Sequence, residues 1–214
     1  AGTDIRGVNY LLQQAKFREA LDKLHQTMPF PAVTGHICPH PCEKECTRHK
    51  LDESVNINAI EEFLGELDLE APAPVVSRQH IFSVAVVGSG PAGLSAAWYL
   101  SMAGYPVTVF EMKKEPGGML RYGIPSYRLP RQRLDEDLQH ILDTGVEVRY
   151  GVNVGTDITL DTLMEQYDAV YLSIGAHTDK KLNIAGEDAV GVMSAVEMLR
   201  LIGENNPPDF AGKR

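Results

Sequence analysis

The N-terminal third of the chain carries apolar residues at the spacing of short helices. They recur every three or four positions over residues 7–15 and again over residues 16–25, which predicts two amphipathic helices. The prolines within residues 27–31 end this pattern, because proline lacks the N–H group that a helix interior needs. Helical spacing returns over residues 55–67, so this part of the chain is predicted to be all-helical.

The pattern changes after residues 70–74, where two prolines indicate a stiff, extended linker. Continuous apolar runs, typical of strands in a parallel sheet, then alternate with helical patterns. The predicted strands are residues 83–87, 106–111, 146–150 and 168–174, and the predicted helices are residues 91–103, 130–144, 159–166 and 194–201. This alternation predicts an α/β fold with a parallel sheet.

The chain is therefore predicted to fold as a small all-α domain followed by a Rossmann-like domain. We place the first domain at residues 1–72, a linker at residues 73–80, and the second domain at residues 81–214. The second domain is expected to be incomplete at its C-terminal end.

Composition excludes several classes of protein. The formal net charge of −9 argues against a nucleic-acid surface, which needs clustered lysine and arginine. The sequence shows neither an apolar run long enough to span a membrane nor a signal peptide. Its three cysteines lie within nine residues, which is poor material for a disulfide framework. We therefore expect a cytoplasmic protein.

The strongest motif is a glycine-rich turn between the first strand and the following helix. Its residues are Gly88, Ser89, Gly90, Pro91, Ala92 and Gly93. In a dinucleotide-binding fold the first glycine permits the tight turn, the second allows a pyrophosphate to approach the backbone, and the third lets the helix pack closely. Glu111, at the end of the second strand, is placed to accept hydrogen bonds from a ribose. An ordinary glycine-rich turn is the alternative.

A second glycine pair, Gly117 and Gly118, follows the second strand. Glycines permit the close backbone approach that a bulky isoalloxazine ring needs. Here the sequence resembles the flavoproteins with two dinucleotide-binding domains, and this resemblance favours FAD over NAD. The strand that ends at Gly175 and Ala176 is similar to their second signature, although a routine strand-to-loop turn has the same pattern.

The cysteines are Cys38, Cys42 and Cys46. If Cys42 and Cys46 lie on one helical turn, they share a face. Three soft thiolates suit an iron–sulfur cluster or zinc, and a four-cysteine cluster needs one further ligand. Histidines lie nearby, so a zinc site of three cysteines and one histidine remains an alternative, as do unliganded structural cysteines.

With both motifs in hand, the chain resembles the small (beta) subunit family of glutamate synthase. It is also similar to the front half of dihydropyrimidine dehydrogenase. The resemblance covers nearly the whole chain and is most specific in residues 30–46, 88–93 and 117–130. Members of this family are iron–sulfur flavoproteins that accept hydride from NAD(P)H.

The resemblance implies that Cys38, Cys42 and Cys46 ligate [4Fe–4S] clusters. It also puts Glu61 where such proteins can place a ligand other than cysteine, the alternative being a solvated helix acid. The cofactor-binding residues that we predict from the motifs and the resemblance together are Gly88, Ser89, Gly90, Pro91, Ala92, Gly93, Glu111, Gly118, Met119, Leu120, Arg128, Val154, Gly175 and Ala176.

The chain departs from the family pattern in two ways. Relatives usually carry an earlier cysteine group that supplies the remaining cluster ligands, and Thr34 stands where they often have another cysteine. They also continue beyond residue 214 into a second glycine-rich motif for NAD(P)H. The chain is therefore expected to be the front portion of a larger subunit, with NAD(P)H bound outside this segment.

The expected function is electron transfer from NAD(P)H through FAD to [4Fe–4S] centres and a larger redox partner. No acid–base catalyst is nominated, because the cofactors carry the chemistry. Dithiol exchange is disfavoured, since the Rossmann-like domain contains no cysteine. One alternative is a non-catalytic assembly module stabilised by zinc or a cluster. Another is an NAD-dependent dehydrogenase, which leaves the second glycine pair and the cysteines without a role.

Overall fold

The structure, a computed structural model, describes residues 2–212. The outermost residues of the two predicted domains, 1, 213 and 214, lie outside this range. Residues 2–72, referred to here as the helical region, form α1 (Ile5–Gln13), α2 (Phe17–His25), α3 (Pro31–Ile37), α4 (Pro41–Lys44) and α5 (Ile57–Leu69), with a 3₁₀ turn at Thr47–Lys50. The prediction of an all-helical first region is confirmed.

The three longer helices of this region match the predicted ones with small shifts at their ends. Helix α1 begins earlier than predicted, because the side chain of Asp4 accepts a hydrogen bond from the Gly7 N–H group at 2.9 Å and caps it. Helix α3 was not predicted. Pro31 begins this helix, at the first helical position, where a missing N–H group costs nothing.

Two glycines allow α3 to cross α5 at very close range. A β-carbon at Gly65 would lie 2.4 Å from the backbone nitrogen of Ala32, and one at Gly35 would lie 2.6 Å from the α-carbon of Glu62. Both distances are too short for any side chain, so the two helices are in backbone contact. Helices α1, α2 and α5 enclose a small separate core that includes Val8, Leu24 and Leu64.

Residues 81–212, referred to here as the Rossmann region, alternate strands with helices as predicted. The elements are β1 (Val84–Val87), α6 (Pro91–Met102), β2 (Val107–Glu111), α7 (Met119–Tyr122), α8 (Arg131–Asp143), β3 (Glu147–Tyr150), α9 (Leu160–Gln166), β4 (Ala169–Leu172) and α10 (Ala195–Gly203). The four strands form a parallel sheet in the order β3-β2-β1-β4. The predicted α/β fold is confirmed, and α7, one turn long, is an addition to it.

The central and edge strands of this sheet differ in burial. Every residue of β1 and β2 is buried, as continuous apolar runs indicate. By contrast, β4 is an edge strand, and 57% of Leu172 is exposed. The apolar sequence of β4 therefore does not by itself place this strand in the interior of the protein.

The helical region packs directly on the Rossmann region. Phe30 and Val33 of the helical region belong to the same hydrophobic core as Trp98, Leu134 and Leu138. The predicted domain boundaries stay a prediction, since the two regions share this core. No helix within residues 2–212 combines the length and the apolar character needed to cross a bilayer.

Candidate functional site

The glycine-rich turn leaves β1 through two positions that exclude a side chain. Gly88 has a φ of +98°, a conformation that residues with a β-carbon rarely adopt. A β-carbon at Gly93 would lie 1.9 Å from the carbonyl oxygen of Gly88. Helix α6 therefore begins in close contact with the turn, as the motif predicts.

The remaining glycine of the turn faces open space. Gly90 precedes α6 with ordinary backbone angles, and no atom lies within 4 Å of where its β-carbon would be. Pro91 takes the first helical position, and the N–H groups of the first turn have no intrahelical acceptors. Free N–H groups and the helix dipole make this end of α6 suitable for a phosphate.

Glu111 lies at the end of β2 with its carboxylate fixed by neighbours. It is 5% exposed and accepts hydrogen bonds from the backbone N–H groups of Ser89 at 2.9 Å and Lys113 at 2.7 Å. The hydroxyl of Ser89 donates a third. A carboxylate has about four acceptor positions, so one is left for a ligand hydroxyl.

The second glycine pair touches the first turn. Gly117 and Gly118 both have positive φ values, of +118° and +51°, and the Gly117 N–H group donates to the Ser89 carbonyl at 2.9 Å. A β-carbon at Gly118 would lie 2.7 Å from the α-carbon of Gly90. The two glycine segments thus form one continuous wall.

Two arginines hold the segment that follows this wall. Arg121 is buried, donates to the Pro116 carbonyl at 2.7 Å and forms an ion pair with Asp135. Arg131 donates to the carbonyls of Leu120 at 3.1 Å and Ile124 at 2.8 Å. These contacts satisfy the backbone of residues 116–124, which otherwise contains only the single turn of α7.

These elements enclose a cleft of about 390 Å³, referred to here as the dinucleotide cleft. It lies at the carboxyl ends of β1, β2 and β4, the edge at which open α/β sheets bind ligands. Its size is within the range of small-molecule sites. The predicted residues that line it are Gly88, Gly90, Pro91, Ala92, Glu111, Gly118, Met119, Val154, Gly175 and Ala176.

The other four predicted cofactor-binding residues do not line the cleft. Ser89 and Gly93 are buried beneath the turn, where they support Glu111 and α6. Leu120 belongs to the hydrophobic core, and Arg128 is exposed outside the cleft. The binding role of each residue stays a prediction.

Sequence reasoning missed several residues of the cleft. Some, such as Met112 and His177, adjoin predicted residues in the sequence and could have been included on that ground. Lys113, Tyr122 and Arg200 also line the cleft. The α10 residue Arg200 had no local signal, because only the tertiary fold brings this helix to the cleft.

A charged cluster closes the rim of the cleft where α10 approaches. Glu204 pairs with Lys113 at 2.7 Å and with Arg200 at 2.9 Å. The Lys113 ammonium group, then Arg200, holds the pKa of Glu204 below its usual value. Burial raises the pKa of the Tyr122 phenol at the same rim.

The cysteine segment, residues 38–46, has a less regular backbone than predicted. Helix α4 ends at Lys44, and Cys46 follows it in extended conformation, so Cys42 and Cys46 do not share a helical turn. The condition for a shared face is therefore not met, because the helix begins at Pro41 after a left-handed His40 and lasts only one turn. Cys38 is extended as well, and all three thiols are free.

The donor chemistry of this segment fits a thiolate-bound centre. Backbone N–H groups, of which that of Val55 contributes most, lower the pKa of the Cys46 thiol and stabilise its thiolate. Burial, then the nearby Glu61 and Cys38, raises the pKa of Cys42. Glu61 is itself buried, and its pKa is raised chiefly by that burial.

The side chains of the segment do not converge on one point. Among residues 2–212, no three cysteine, histidine, aspartate or glutamate side chains are arranged to hold a metal ion. This applies to the predicted cysteine ligands with Glu61 and to the zinc alternative alike. The ligand roles of these residues stay predictions.

Two family models match the chain, one in each region. Residues 1–72 match the model described as dihydropyrimidine dehydrogenase domain II, 4Fe-4S cluster. Residues 86–157 match the model described as an NAD(P)-binding Rossmann-like domain. The predicted succession of an iron–sulfur domain and a Rossmann-like domain is confirmed by these matches.

Several named relatives are similar over most of the chain. It is 41% identical over 198 residues to the glutamate synthase [NADPH] small chain of Mycobacterium tuberculosis, covering 89% of this chain and 40% of that protein. It is 40% identical over 193 residues to the NADPH-Fe(3+) oxidoreductase subunit beta of Geobacter sulfurreducens, covering 88% of this chain and 29% of that protein. The chain therefore spans less than half the length of these relatives.

A solved structure is similar to more than half of the chain. Mycobacterium tuberculosis FprA in complex with NADPH superimposes with a TM-score of 0.55 and 29% identity, covering 62% of this chain and 32% of FprA. This likeness and the sequence matches agree with the fold described above. Over most of its length the chain is thus similar to a glutamate synthase small chain and to the beta subunit of an NADPH-Fe(3+) oxidoreductase.

Proposed function

We propose that this chain is the flavin- and cluster-binding part of an NAD(P)H-dependent oxidoreductase subunit. FAD would occupy the dinucleotide cleft, and the cysteine segment would ligate the iron of [4Fe–4S] clusters. The chemistry that these two cofactors supply is acceptance of a hydride and release of single electrons. NAD(P)H would bind to residues outside this segment, and electrons would pass to a larger redox partner.

The arrangement around Glu111 and Gly90 carries the proposal for the cleft. The free end of α6 would bind the pyrophosphate beside Gly90. The fixed carboxylate of Glu111 would accept a hydrogen bond from the ribose. The paired backbones of Gly90 and Gly118 leave room for flat contact with a ring system.

The cysteine segment would contribute Cys38, Cys42 and Cys46 as thiolate ligands, with Glu61 as a further oxygen ligand. The match of residues 1–72 to an iron–sulfur family supports this assignment. The backbone N–H groups around Cys46 support it as well, because hydrogen bonds to cluster sulfurs are one means by which proteins set a reduction potential.

A larger partner and a cytoplasmic location complete the proposal. Relatives named as small chains or beta subunits support a multi-subunit assembly. The clustered free cysteines support a reducing compartment.

Cofactor binding by the purified chain tests the proposal. The protein, prepared without oxygen, is supplied with iron, sulfide and FAD, and bound flavin, iron and acid-labile sulfide are measured per chain. We expect Glu111→Gln to weaken FAD binding by about tenfold, since it removes one charged acceptor from the ribose and unsettles Ser89. The exposed Glu147→Gln on β3 is the matched control and should bind as the unchanged chain does.

Absence of stable flavin binding would contradict the assignment of the cleft. The oxidoreductase assignment is tested separately, by mixing the assembled protein from its host with NADPH or NADH under anaerobic conditions. We expect the flavin absorption to bleach. Persistence of that absorption with both nucleotides would contradict the assignment.

The non-catalytic assembly module is the second candidate. Three free cysteines within nine residues support it as well, because thiolates are also the preferred ligands of a structural zinc ion. Zinc without acid-labile sulfide in the purified protein would support the zinc version of this alternative, and iron with sulfide would exclude that version.

A further inference from the structure

Asp137 is a buried acid that the proposed function does not use. It lies on α8 with 1% of its surface exposed, between the core residues Leu134, Leu138 and Ile141. A carboxyl group in such apolar surroundings is costly unless it has hydrogen-bond partners. Its partners come from the helical region.

The carboxyl group of Asp137 caps α3 from outside that helix. Phe30, the residue that precedes α3, supplies no side-chain cap. The free N–H group of Val33 in the first turn instead donates to Asp137 at 2.7 Å, and Ala32 provides a further backbone contact. Asp137 thus accepts the hydrogen bond from the first turn of α3 that the side chain of an N-cap residue normally accepts.

Helix α3 connects this contact to the cysteine segment. It is two turns long, and its next residue is Cys38, whose N–H group donates to the Thr34 carbonyl at 2.9 Å. Its apolar side, including Ile37, packs on the core of the Rossmann region, while Gly35 and Gly65 lock it against α5. A short helix held on both sides transmits a displacement of its first turn to its last.

Other charged groups surround the contact, and they make it sensitive to protonation. Asp68 and Glu66 of α5 face Asp137, and Asp68 accepts from or pairs with His25 of α2 at 2.7 Å. Two charged residues of α8 contact these acids: Arg133 pairs with Glu66, and His140 lies 3.9 Å from Asp68. Desolvation, opposed by the Val33 hydrogen bond, raises the pKa of Asp137 to about 8.

We propose that Asp137 is a positioning residue, which fixes the start of α3 on α8 and thereby sets where the cysteine segment lies relative to the dinucleotide cleft. This inference rests on the proposed function only for its consequence, which is the geometry between flavin and cluster. The hydrogen bond between Asp137 and Val33 does not depend on any cofactor. The positioning role and the proposed function can therefore be tested separately.

Hydrogen–deuterium exchange of the intact chain tests the contact without any cofactor. In Asp137→Ala, the Val33 N–H group loses its acceptor, and we expect exchange in residues 31–38 to accelerate by about tenfold or more. Asp137→Asn keeps one acceptor oxygen and should restore most of the protection. Asp143→Asn, exposed on the same helix, is the matched control and should leave exchange unchanged.

Two further readouts separate positioning from simple support of the fold. Exchange in residues 91–102 reports on α6 and should not change, which shows that the variant remains folded. In the unchanged chain, protection of residues 31–38, corrected for intrinsic exchange, should vary between pH 6 and 9, and in Asp137→Asn it should not. The electron paramagnetic resonance spectrum of the reduced cluster should change in Asp137→Ala and be restored in Asp137→Asn.

Each negative outcome has a distinct meaning. Unchanged exchange of residues 31–38 in Asp137→Ala would overturn the positioning role. An unchanged cluster spectrum despite faster exchange would also overturn the positioning role, because the effect of losing the contact would then not reach the cysteines. Absence of any iron–sulfur signal in the unchanged chain would instead refute the proposed function and leave the exchange result standing.

Discussion

The dinucleotide cleft and the cysteine segment belong to one chain, but different parts of the protein hold their functional groups in place. The cleft is shaped by backbone, with Gly88, Gly93 and Gly118 fixed by contacts that leave no room for a β-carbon. The cysteines lie before, within and after the one-turn helix α4, and their thiols do not converge among the described residues. A backbone site is complete when the chain folds, whereas thiolate ligands are gathered by the metal that they bind.

The largest expected effect comes from breaking the contact between α6 and the glycine-rich turn. In Gly93→Ala the new β-carbon would meet the Gly88 carbonyl oxygen at 1.9 Å, and neither backbone can move without opening the sheet edge. We expect a loss of about 3 kcal/mol or more in the free energy of unfolding, measured by urea denaturation. A loss below about 1 kcal/mol would show that the turn adjusts easily.

A cysteine substitution should separate the two sites. Cys42→Ser removes one proposed thiolate from an exposed position, so we expect iron and sulfide content to fall by more than half while FAD content stays unchanged. Its neighbour Glu45→Gln is the control and should keep both cofactors. Loss of FAD together with iron in Cys42→Ser would mean that the sites are not independent.

Gly90→Ala should affect binding and spare the fold. Gly90 has ordinary backbone angles and open space where the β-carbon would lie, so the free energy of unfolding should fall by less than about 1 kcal/mol. The added methyl group would occupy the proposed position of the pyrophosphate and weaken FAD binding by about tenfold, measured by fluorescence titration. Comparison of Gly90→Ala with Gly93→Ala would show that one glycine of the motif serves binding and another serves folding.

The last prediction concerns the pH dependence of stability. The pKa of Asp137 is raised to about 8 in the folded protein from 3.8, so the folded state holds more protons than the unfolded state between these values. The stability that the protonated carboxyl group of Asp137 contributes is fully present below pH 4 and is lost as the pH rises towards 8. Relative to Asp137→Asn, we expect the free energy of unfolding of the unchanged chain to fall as the pH rises from 4 towards 8, measured by urea denaturation at several pH values. Parallel pH profiles would contradict this.

The sequence predicts most of the fold because its signals are local. Alternating apolar runs and helical spacing give every strand and most helices, and the glycine motif with Glu111 identifies the cleft. Helix α3 escaped prediction because Pro31, taken as the end of a helix, begins one. The cap of this helix comes from Asp137, which lies 104 positions after Val33, the residue that it caps. The approach of Arg200 to the cleft escaped for the same reason.

The cysteine segment marks the other limit of local reasoning. Cys42 and Cys46 would share a face if they lay on one helical turn, but α4 begins at Pro41 after a left-handed His40 and lasts only one turn. Residue type alone left an iron–sulfur cluster, a zinc ion and unliganded cysteines open, and the folded chain determines the geometry of the segment. Leu172 and Val86 show the same limit. Both are apolar strand residues, but Leu172 is exposed at the sheet edge and Val86 is buried.

The absorption spectrum of the anaerobically purified protein, recorded together with its iron and acid-labile sulfide content, tests the central claim most directly. We predict two flavin bands above the broad absorption of an iron–sulfur centre, with both cofactors present in the same chain. A protein without flavin and without acid-labile sulfide, whether colourless or holding only zinc, would contradict the account.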